Sequence, residues 1–503
     1  MERNTKILIA LFISIVLIRL FLAFWMPTFT YESYFHLRQT DHILDTGLPQ
    51  YHDGLSYGGR EMRFLPFFHY FMAFFGLFLP LEIVAKILPN LLISSLIITS
   101  YLISRKIYHH ETGALLAAFI AGFLPILFAT NSFTVTTLFV PLTFIVIYAF
   151  LNLQEPAGKD YHPSKYLYVY IASFLLLSLT SPLAALLLIG FGIYVLLSLL
   201  EGKKINRAEI EIMFFSLFLF LWVQFLFFKE SLLEEGWSFL WQNVPSGIIA
   251  QYFPKFSLAE ALVLVSIIPF LAGAVVVYRS LFQIKNQKAF LLISLVIAAT
   301  LLTWLRLIRF RQSLAFFSVI LAILFSSFYL DLEKYFHKTK LAQYQRYLLP
   351  TILSLLLIST VLPAINAALL QERPSEEEIG AFRWLWENSP VDTVIVATLD
   401  EGHLITYYAQ RKNLIDDRFM LVDDAEKRFQ DLTSLFTTHF QTQAVEIAEK
   451  YRLEYFVLTP SAKEKYNLKE ELPYATKRCF EIAYQNETIV YRRLCRLEET
   501  EIK

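Results

Sequence analysis

The sequence predicts a polytopic α-helical membrane protein of about 11 transmembrane helices, followed by a C-terminal extracytoplasmic α/β domain. Three observations lead there. Of 503 residues, 56% are hydrophobic and 17% charged, with 47 Phe and a mean hydropathy of +0.49, which is more apolar surface than one water-soluble core can hide. Apolar runs near the ~20 residues needed to cross a bilayer recur between Lys6 and Leu369. After Leu370 that pattern stops, and helical and strand periodicities begin to alternate.

The expected spans cover roughly residues 7–25, 84–104, 115–130, 137–153, 167–180, 184–200, 212–228, 261–278, 289–304, 313–330 and 348–368. The first is too long for a removed signal peptide and lacks its small-residue cleavage site. Residues 65–80 are short and broken by Pro66 and Pro80, so they are expected to lie at the interface. Arg3 and Lys6 beside the first span put the amino end in the cytoplasm, by the rule that basic loops stay inside. The same side then receives Arg105-Lys106, Lys159 with Lys165, Lys203-Lys204 with Arg207, Arg279 with Lys285 and Lys288, and the run from Lys334 to Arg346. An odd number of spans leaves the tail outside, as expected of a multi-pass protein of the cell membrane. The predicted division is a membrane domain, 1–370, with long outward loops at 26–82 and 229–260, and an extracytoplasmic domain, 371–503. Lys+Arg and Asp+Glu both total 44, so charge gives no reason to expect a nucleic-acid partner.

In the tail, Ser375 and Glu378 are spaced as a capping box that opens a helix running through Trp386. The β-branched run Thr393-Val394-Ile395-Val396, a helix around 444–450 and Tyr455-Phe456-Val457-Leu458 make a small α/β unit. Two alternating strands joined by Gln485-Asn486-Glu487-Thr488 bring Cys479 and Cys495 about opposite each other. A disulfide is expected in an oxidising exterior, with two buried free thiols as the alternative. Asn486-Glu487-Thr488 also matches a glycosylation tripeptide, a pattern common by chance.

Ionisable groups crowd the first outward loop, from Tyr31-Glu32-Ser33-Tyr34-Phe35-His36-Leu37-Arg38 through Asp41 to His52-Asp53-Gly54 and Arg60. On a helix, Glu32 and His36 share one face at i and i+4. Glu32 suits a general base, with Asp53 as a second candidate. Glu32 with His36 also suits a divalent cation, Mg or Mn, and a solvated juxtamembrane helix is the plain alternative. His36, Arg38 and Arg60 are candidates for contact with substrate or acceptor. Arg306, Arg309 and Arg311 fall at an outward turn, where basic residues are disfavoured, so a compensating anion is expected; a lipid phosphate fits the guanidinium fork. Snorkelling to lipid headgroups, or pairing with Glu32, Glu234 or Glu235, explains them equally. The loop holding Glu234-Glu235-Gly236-Trp237 and Tyr252-Phe253-Pro254 places acids beside aromatics and is long enough to cover a sugar or acceptor.

Three segments together resemble the GT-C glycosyltransferases, most closely the catalytic subunit of oligosaccharyltransferase and its archaeal relatives. Glu32-Ser33-Tyr34-Phe35-His36-Leu37-Arg38 is similar to that family's Asp-Pro-Tyr-Tyr/Phe-x-x-Arg stretch, whose acid is a metal-site and catalytic residue. Arg309-Phe310-Arg311 looks like the Arg-Phe that heads a late helix near the lipid-linked donor. The tail from Phe382-Arg383-Trp384-Leu385 to Asp400-Glu401-Gly402-His403 and Arg411 is similar to the block that ends in Trp-Trp-Asp-Tyr-Gly. Here Thr398-Leu399-Asp400-Glu401-Gly402 keeps only the Asp and Gly, and Asn131-Ser132-Phe133-Thr134 lacks the acid pair that completes the family's metal site.

The resemblance implies inverting transfer of a sugar from a polyprenyl (dolichyl) phosphate or pyrophosphate, on the outer face of the membrane, to a glycan, lipid or protein acceptor. Glu32 or Asp53 would take the acceptor proton and Arg309, Arg311 and Arg306 would stabilise the departing phosphate, with Asp400, His403, Glu234 and Glu235 lining the acceptor side. The rival readings are transfer of an oligosaccharide onto protein asparagine, and a non-catalytic relative that binds or transports lipid-linked sugars.

Overall fold

The computed structural model describes residues 2–154, 163–249, 253, 257–284, 286–476 and 478–496. Lys159, Lys285, Tyr252 and Pro254, singled out in the sequence, lie outside them. Among the described residues nine helices are long and apolar enough to cross a membrane: Arg3–Trp25, Leu81–Tyr108, Glu111–Ala129, Thr136–Leu153, Pro182–Leu200, Arg207–Trp241, Gln287–Trp304, Phe310–Lys338 and Lys340–Leu369. A bent pair, Leu258–Val265 and Ile267–Gln283, meeting at 90°, makes ten if it is counted as one broken span rather than a re-entrant loop. The expected span at 167–180 is also helical, within Pro163–Thr180, of which Lys165–Thr180 ranks as a shorter apolar helix, so nine or ten spans are found among the described residues and the expected eleven is not confirmed. Residues 65–80 form only the short helix Phe67–Gly76, in keeping with their prolines.

The chain divides into two units. The first comprises Met1–Met26, Leu65–Phe227 and Phe253–Gln371. Its central helix, Phe310–Lys338, is largely buried, whereas Arg207–Trp241 leaves Phe214, Phe218, Trp222 and Phe225 exposed at helical spacing, an apolar stripe for lipid to cover. Packing is close where side chains are smallest. A Cβ on Gly113 would lie 2.4 Å from Ser326 Oγ and 3.0 Å from Ser326 O, so glycine sets how closely those two helices approach.

Side-chain hydrogen bonds gather at two helix breaks inside this unit, where an apolar surround offers no water to polar groups. Ser266, at φ +72°, forms the right-angled bend, and its hydroxyl donates to Ser359 O at 3.0 Å and lies 2.7 Å from Thr360 Oγ1. A second break, ahead of Pro125, frees carbonyls at the end of Glu111–Gly122 and in the short helix Pro125–Ala129. The buried Arg19 donates through Nη2 to Gly122 O and through Nη1 to Leu127 O, both at 3.3 Å, with its guanidinium 3.7 Å from the Phe128 ring centre. Arg19→Met keeps the volume and leaves two buried carbonyls without donors, so the unfolding free energy in detergent is expected to fall by about 2–4 kcal/mol, read as a lower thermal midpoint.

The second unit comprises Pro27–Phe64, Phe228–Tyr252 and Glu372–Lys503. The capping box forms as the sequence predicts, with Ser375 Oγ accepting from Glu378 N at 3.0 Å and Glu378 Oε2 accepting from Ser375 N at 3.0 Å, and it opens the helix Glu376–Asn388. Strands β1 (His52–Asp53) and β2 (Arg60–Glu61) pair antiparallel in the first segment. The other five, β3 (Val394–Val396), β4 (Lys412–Asn413), β5 (Leu453–Leu458), β6 (Phe480–Gln485) and β7 (Ile489–Arg493), form one sheet in the order β4-β3-β5-β7-β6. β3 runs parallel to β4 and β5, and the hairpin β6–β7 joins antiparallel to β5. Cys479 and Cys495 are disulfide-bonded across that hairpin, with Cα atoms 4.7 Å apart. At its turn Thr488 is buried and Asn486 Nδ2 donates to Tyr484 Oη at 3.0 Å.

Candidate active site

The helix Tyr31–Thr46 supplies one side of a polar cluster in the second unit. Its spacing brings His36 Nε2 to 3.9 Å from Glu32 Oε1 on one face. On another face, Arg38 donates from Nη1 and Nη2 to the two oxygens of Asp53, at 2.6 and 2.8 Å. Asp53 also accepts from Leu55 N at 2.9 Å and Ser56 N at 3.2 Å and is 1% exposed. Burial pushes its carboxyl up, but the Arg38 guanidinium and these two amides hold it below the usual range.

The tail supplies the other side, through the run Asn413-Leu414-Ile415-Asp416-Asp417-Arg418 that begins in β4. Asp416, also 1% exposed, accepts four hydrogen bonds: from Ser56 Oγ at 2.6 Å and Asn413 Nδ2 at 3.1 Å on Oδ2, and from Arg60 Nη2 at 3.2 Å and Arg418 N at 3.0 Å on Oδ1. Its carbonyl takes the Tyr57 hydroxyl at 2.7 Å, and Arg60 Nη1 donates to Arg418 O. Asp417 Oδ1 is hydrogen-bonded to His403 Nε2 at 2.7 Å. Arg418 faces both Glu32 (Nη2 to Oε1, 3.4 Å) and Asp417 (Nε to Oδ1, 3.6 Å), its guanidinium 4.4 Å from the Phe35 ring centre.

The cluster's electrostatics are set by burial. Desolvation pushes His36 down to about 4, further helped by Arg418 and opposed by Glu32, so the imidazole is neutral at physiological pH. In the segment Thr398-Leu399-Asp400-Glu401-Gly402 the two acids have opposite surroundings. Asp400 is exposed and pairs with Lys465 Nζ at 2.9 Å, whereas Glu401 is fully buried, accepting from Thr398 N at 2.9 Å and from the Thr459 hydroxyl. Burial raises Glu401 to about 7, against those hydrogen bonds.

Of the residues picked out in the sequence, Glu32, His36 and His403 join this cluster, and Arg38, Asp53 and Arg60 brace it. Asp400 turns to Lys465 instead. Glu235 accepts from Leu421 N through Oε1, while Oε2 is buried without a hydrogen-bond partner among the described residues, and Glu234 is exposed. Asp416, Asp417 and Arg418 were missed; the only signal was three consecutive ionisable residues directly after the apolar Leu414-Ile415. In the first unit, Arg306 (φ +58°) and Arg309 lie where the chain leads into the helix Phe310–Lys338, Arg309 at its N-cap, and Arg311 is in its first turn, with Nη2 3.7 Å from Glu260 Oε1.

Among the described residues one group has the spacing of a metal site: the ligand atoms of His403, Asp416 and Asp417 lie within 4.8 Å of one another. The donor set does not fit an ion as it stands. Asp416 has its acceptor positions taken by four protein donors, and Asp417 is already bonded to His403. The expected pair of Glu32 and His36 likewise has a cation beside it, the Arg418 guanidinium.

Two substitutions probe this construction. A Cβ on Gly402 would sit 2.4 Å from Ile415 O and 2.7 Å from Asp416 Cβ, so Gly402→Ala is expected to push the 415–416 backbone aside and to lower stability by about 1–3 kcal/mol in thermal unfolding. Glu401 favours its protonated form in the fold, so its contribution to stability is full below pH 4.5 and lost as pH rises through about 7. Relative to Glu401→Gln, the unfolding midpoint of the unsubstituted protein is expected to fall across that window and to run parallel outside it.

No protein-family model matches the chain. Over 101 residues it is 35% identical to dolichyl-phosphooligosaccharide-protein glycotransferase 2 of Archaeoglobus fulgidus, a stretch covering 19% of this chain and only 17% of that relative. The archaeal oligosaccharyltransferase AglB from A. fulgidus, solved with an inhibitory peptide and a dolichol-phosphate, superposes with a TM-score of 0.68 at 14% identity, over 89% of this chain and 69% of that one. The A. fulgidus enzyme with zinc and sulfate superposes with a TM-score of 0.65 at 15% identity, over 88% of this chain and 67% of that one. ArnT from Cupriavidus metallidurans, bound to undecaprenyl phosphate, gives 0.54 at 13% identity, over 96% and 97%. The chain therefore has the GT-C fold of the membrane glycosyltransferases and resembles the archaeal oligosaccharyltransferases within it.

Proposed function

We propose that this chain is an inverting membrane glycosyltransferase that moves a sugar from a polyprenyl or dolichyl phosphate or pyrophosphate to an acceptor on the extracytoplasmic face. The observation that carries this reading is the cluster built around Glu32, in a chain with the fold of enzymes solved with dolichol-phosphate and undecaprenyl phosphate. In this reading the amino end is cytoplasmic and the second unit extracytoplasmic.

Glu32 is assigned as the general base. It is partly exposed and sits beside a neutral imidazole, whereas Asp53, the other candidate, is buried and spends its oxygens on Arg38 and two amides. The acceptor oxygen or nitrogen attacks the anomeric carbon while its proton passes to the Glu32 carboxylate, and the bond from that carbon to the phosphate oxygen breaks. Arg309 and Arg311, at the positive end of a 29-residue helix in the first unit, are assigned to bind a lipid phosphate. His403 and Arg60 are assigned to order the acceptor side.

A second reading, transfer of an oligosaccharide onto protein asparagine, draws support from the name of the 35% identical archaeal relative. The absence of both tryptophans from Thr398–Gly402 weighs against it. Incubating the purified protein with lipid-linked sugar and a peptide bearing Asn-Xaa-Thr separates the two: a glycopeptide product selects the second reading.

Glu32→Gln and Arg309→Ala are each expected to lower transfer at least ~100-fold while leaving the detergent elution profile unchanged. Unaltered transfer in both would sink the assignment. Asp53→Asn is expected to act through folding instead, costing about 3–5 kcal/mol by stranding the Arg38 charge.

A further inference from the structure

Three guanidiniums and four carboxylates interlock in the second unit. Arg38 serves Asp53 and Arg60 serves Asp416, each one to one, but Arg418 faces two carboxylates, those of Glu32 and Asp417. Two anions brought to one cation in a half-buried setting are what a divalent ion ordinarily bridges, and the guanidinium offsets the repulsion between them. Arg418 is built into this position. Its amide donates to Asp416 Oδ1 at 3.0 Å, its carbonyl accepts from Arg60 Nη1, and its guanidinium lies over the Phe35 ring at 4.4 Å. Backbone and side chain are thus both held before any ligand arrives, and the planar fork reaches two carboxylates at once.

We propose that Arg418 is the resident cation of this cluster, taking between Glu32 and Asp417 the place that a divalent ion would fill, so that the cluster needs none. This rests on the reading of Glu32 as the base: Arg418 is a positioning residue that acts through Glu32, fixing its carboxylate opposite His36. His403 serves the same end by holding Asp417 at 2.7 Å.

The test uses the full chain in detergent, stripped with EDTA and dialysed, with Mn2+ as the probe in calorimetric titration and the thermal midpoint read with and without EDTA. The unsubstituted protein is expected to show no Mn2+ uptake that depends on Asp417 and no midpoint shift with EDTA. Arg418→Ala removes the cation that faces both Glu32 and Asp417 and is expected to gain a Mn2+ site at least tenfold tighter, lost again on adding Asp417→Asn. Arg418→Lys, which keeps the charge, is expected to stay insensitive to EDTA. Uptake of Mn2+ by the unsubstituted protein that Asp417→Asn abolishes would overturn the proposal, as would a folded Arg418→Ala that gains no site. Should Arg418→Ala fail to fold, the comparison of unsubstituted protein with Asp417→Asn decides by itself. None of these readouts needs turnover, so a protein inert toward lipid-linked sugar would end the glycosyltransferase reading without touching this one.

Discussion

The second unit depends on one buried carboxylate, that of Asp416. An ionised acid almost wholly withdrawn from water is tolerable only when its oxygens are fully hydrogen-bonded, and here four donors meet it from both sides. Two come from Ser56 and Arg60, in the first segment of the unit, and two from Asn413 and Arg418, more than 350 residues later in the chain, by the separations of the bonds that cross. Because Asp416 is fixed, its neighbours Asp417 and Arg418 are fixed too, and with them the partner of His403 and the cation beside Glu32. Asn413 repeats the device on a neutral scale, accepting from Tyr57 N at 2.7 Å while its amide donates to Gly402 O at 3.0 Å.

The same accounting governs the membrane unit with different residues. Where a helix breaks, side chains meet nearby carbonyls: Arg19 donates to Gly122 O and Leu127 O, Gln371 to Phe128 O and Ala129 O at 2.8 Å each, and Ser266, at the right-angled bend, to Ser359 O. These polar groups are costly to bury alone and tolerable once paired, which is why they occur where the helices are interrupted.

Much of this was legible in the residues. The apolar runs fix helices in number and place to within one or two, because crossing a bilayer imposes a length. The exception is Lys165–Thr180, apolar throughout but counted among the shorter helices of the described residues. Ser375 and Glu378 announced their helix, since a capping box is local chemistry. Glu32 and His36 were visible as a pair for the same reason, four residues apart on one helix. Asp53 stands beside Glu32 as a candidate base in the sequence because nothing near it says that Arg38, fifteen residues away, takes both its oxygens. The resemblance points to Asp400, and its neighbour Glu401 is the acid that the fold buries, Asp400 the one it exposes.

Residue order alone sets the short-range features: apolar length, helical spacing, caps, and the alternation of the β6–β7 hairpin that brings Cys479 beside Cys495. Which ionisable groups meet is settled by the folded chain. Asp416, Asp417 and Arg418 read as an ordinary charged turn, because burial and pairing, which separate a solvated acid from a site, depend on segments that approach only when the chain has folded.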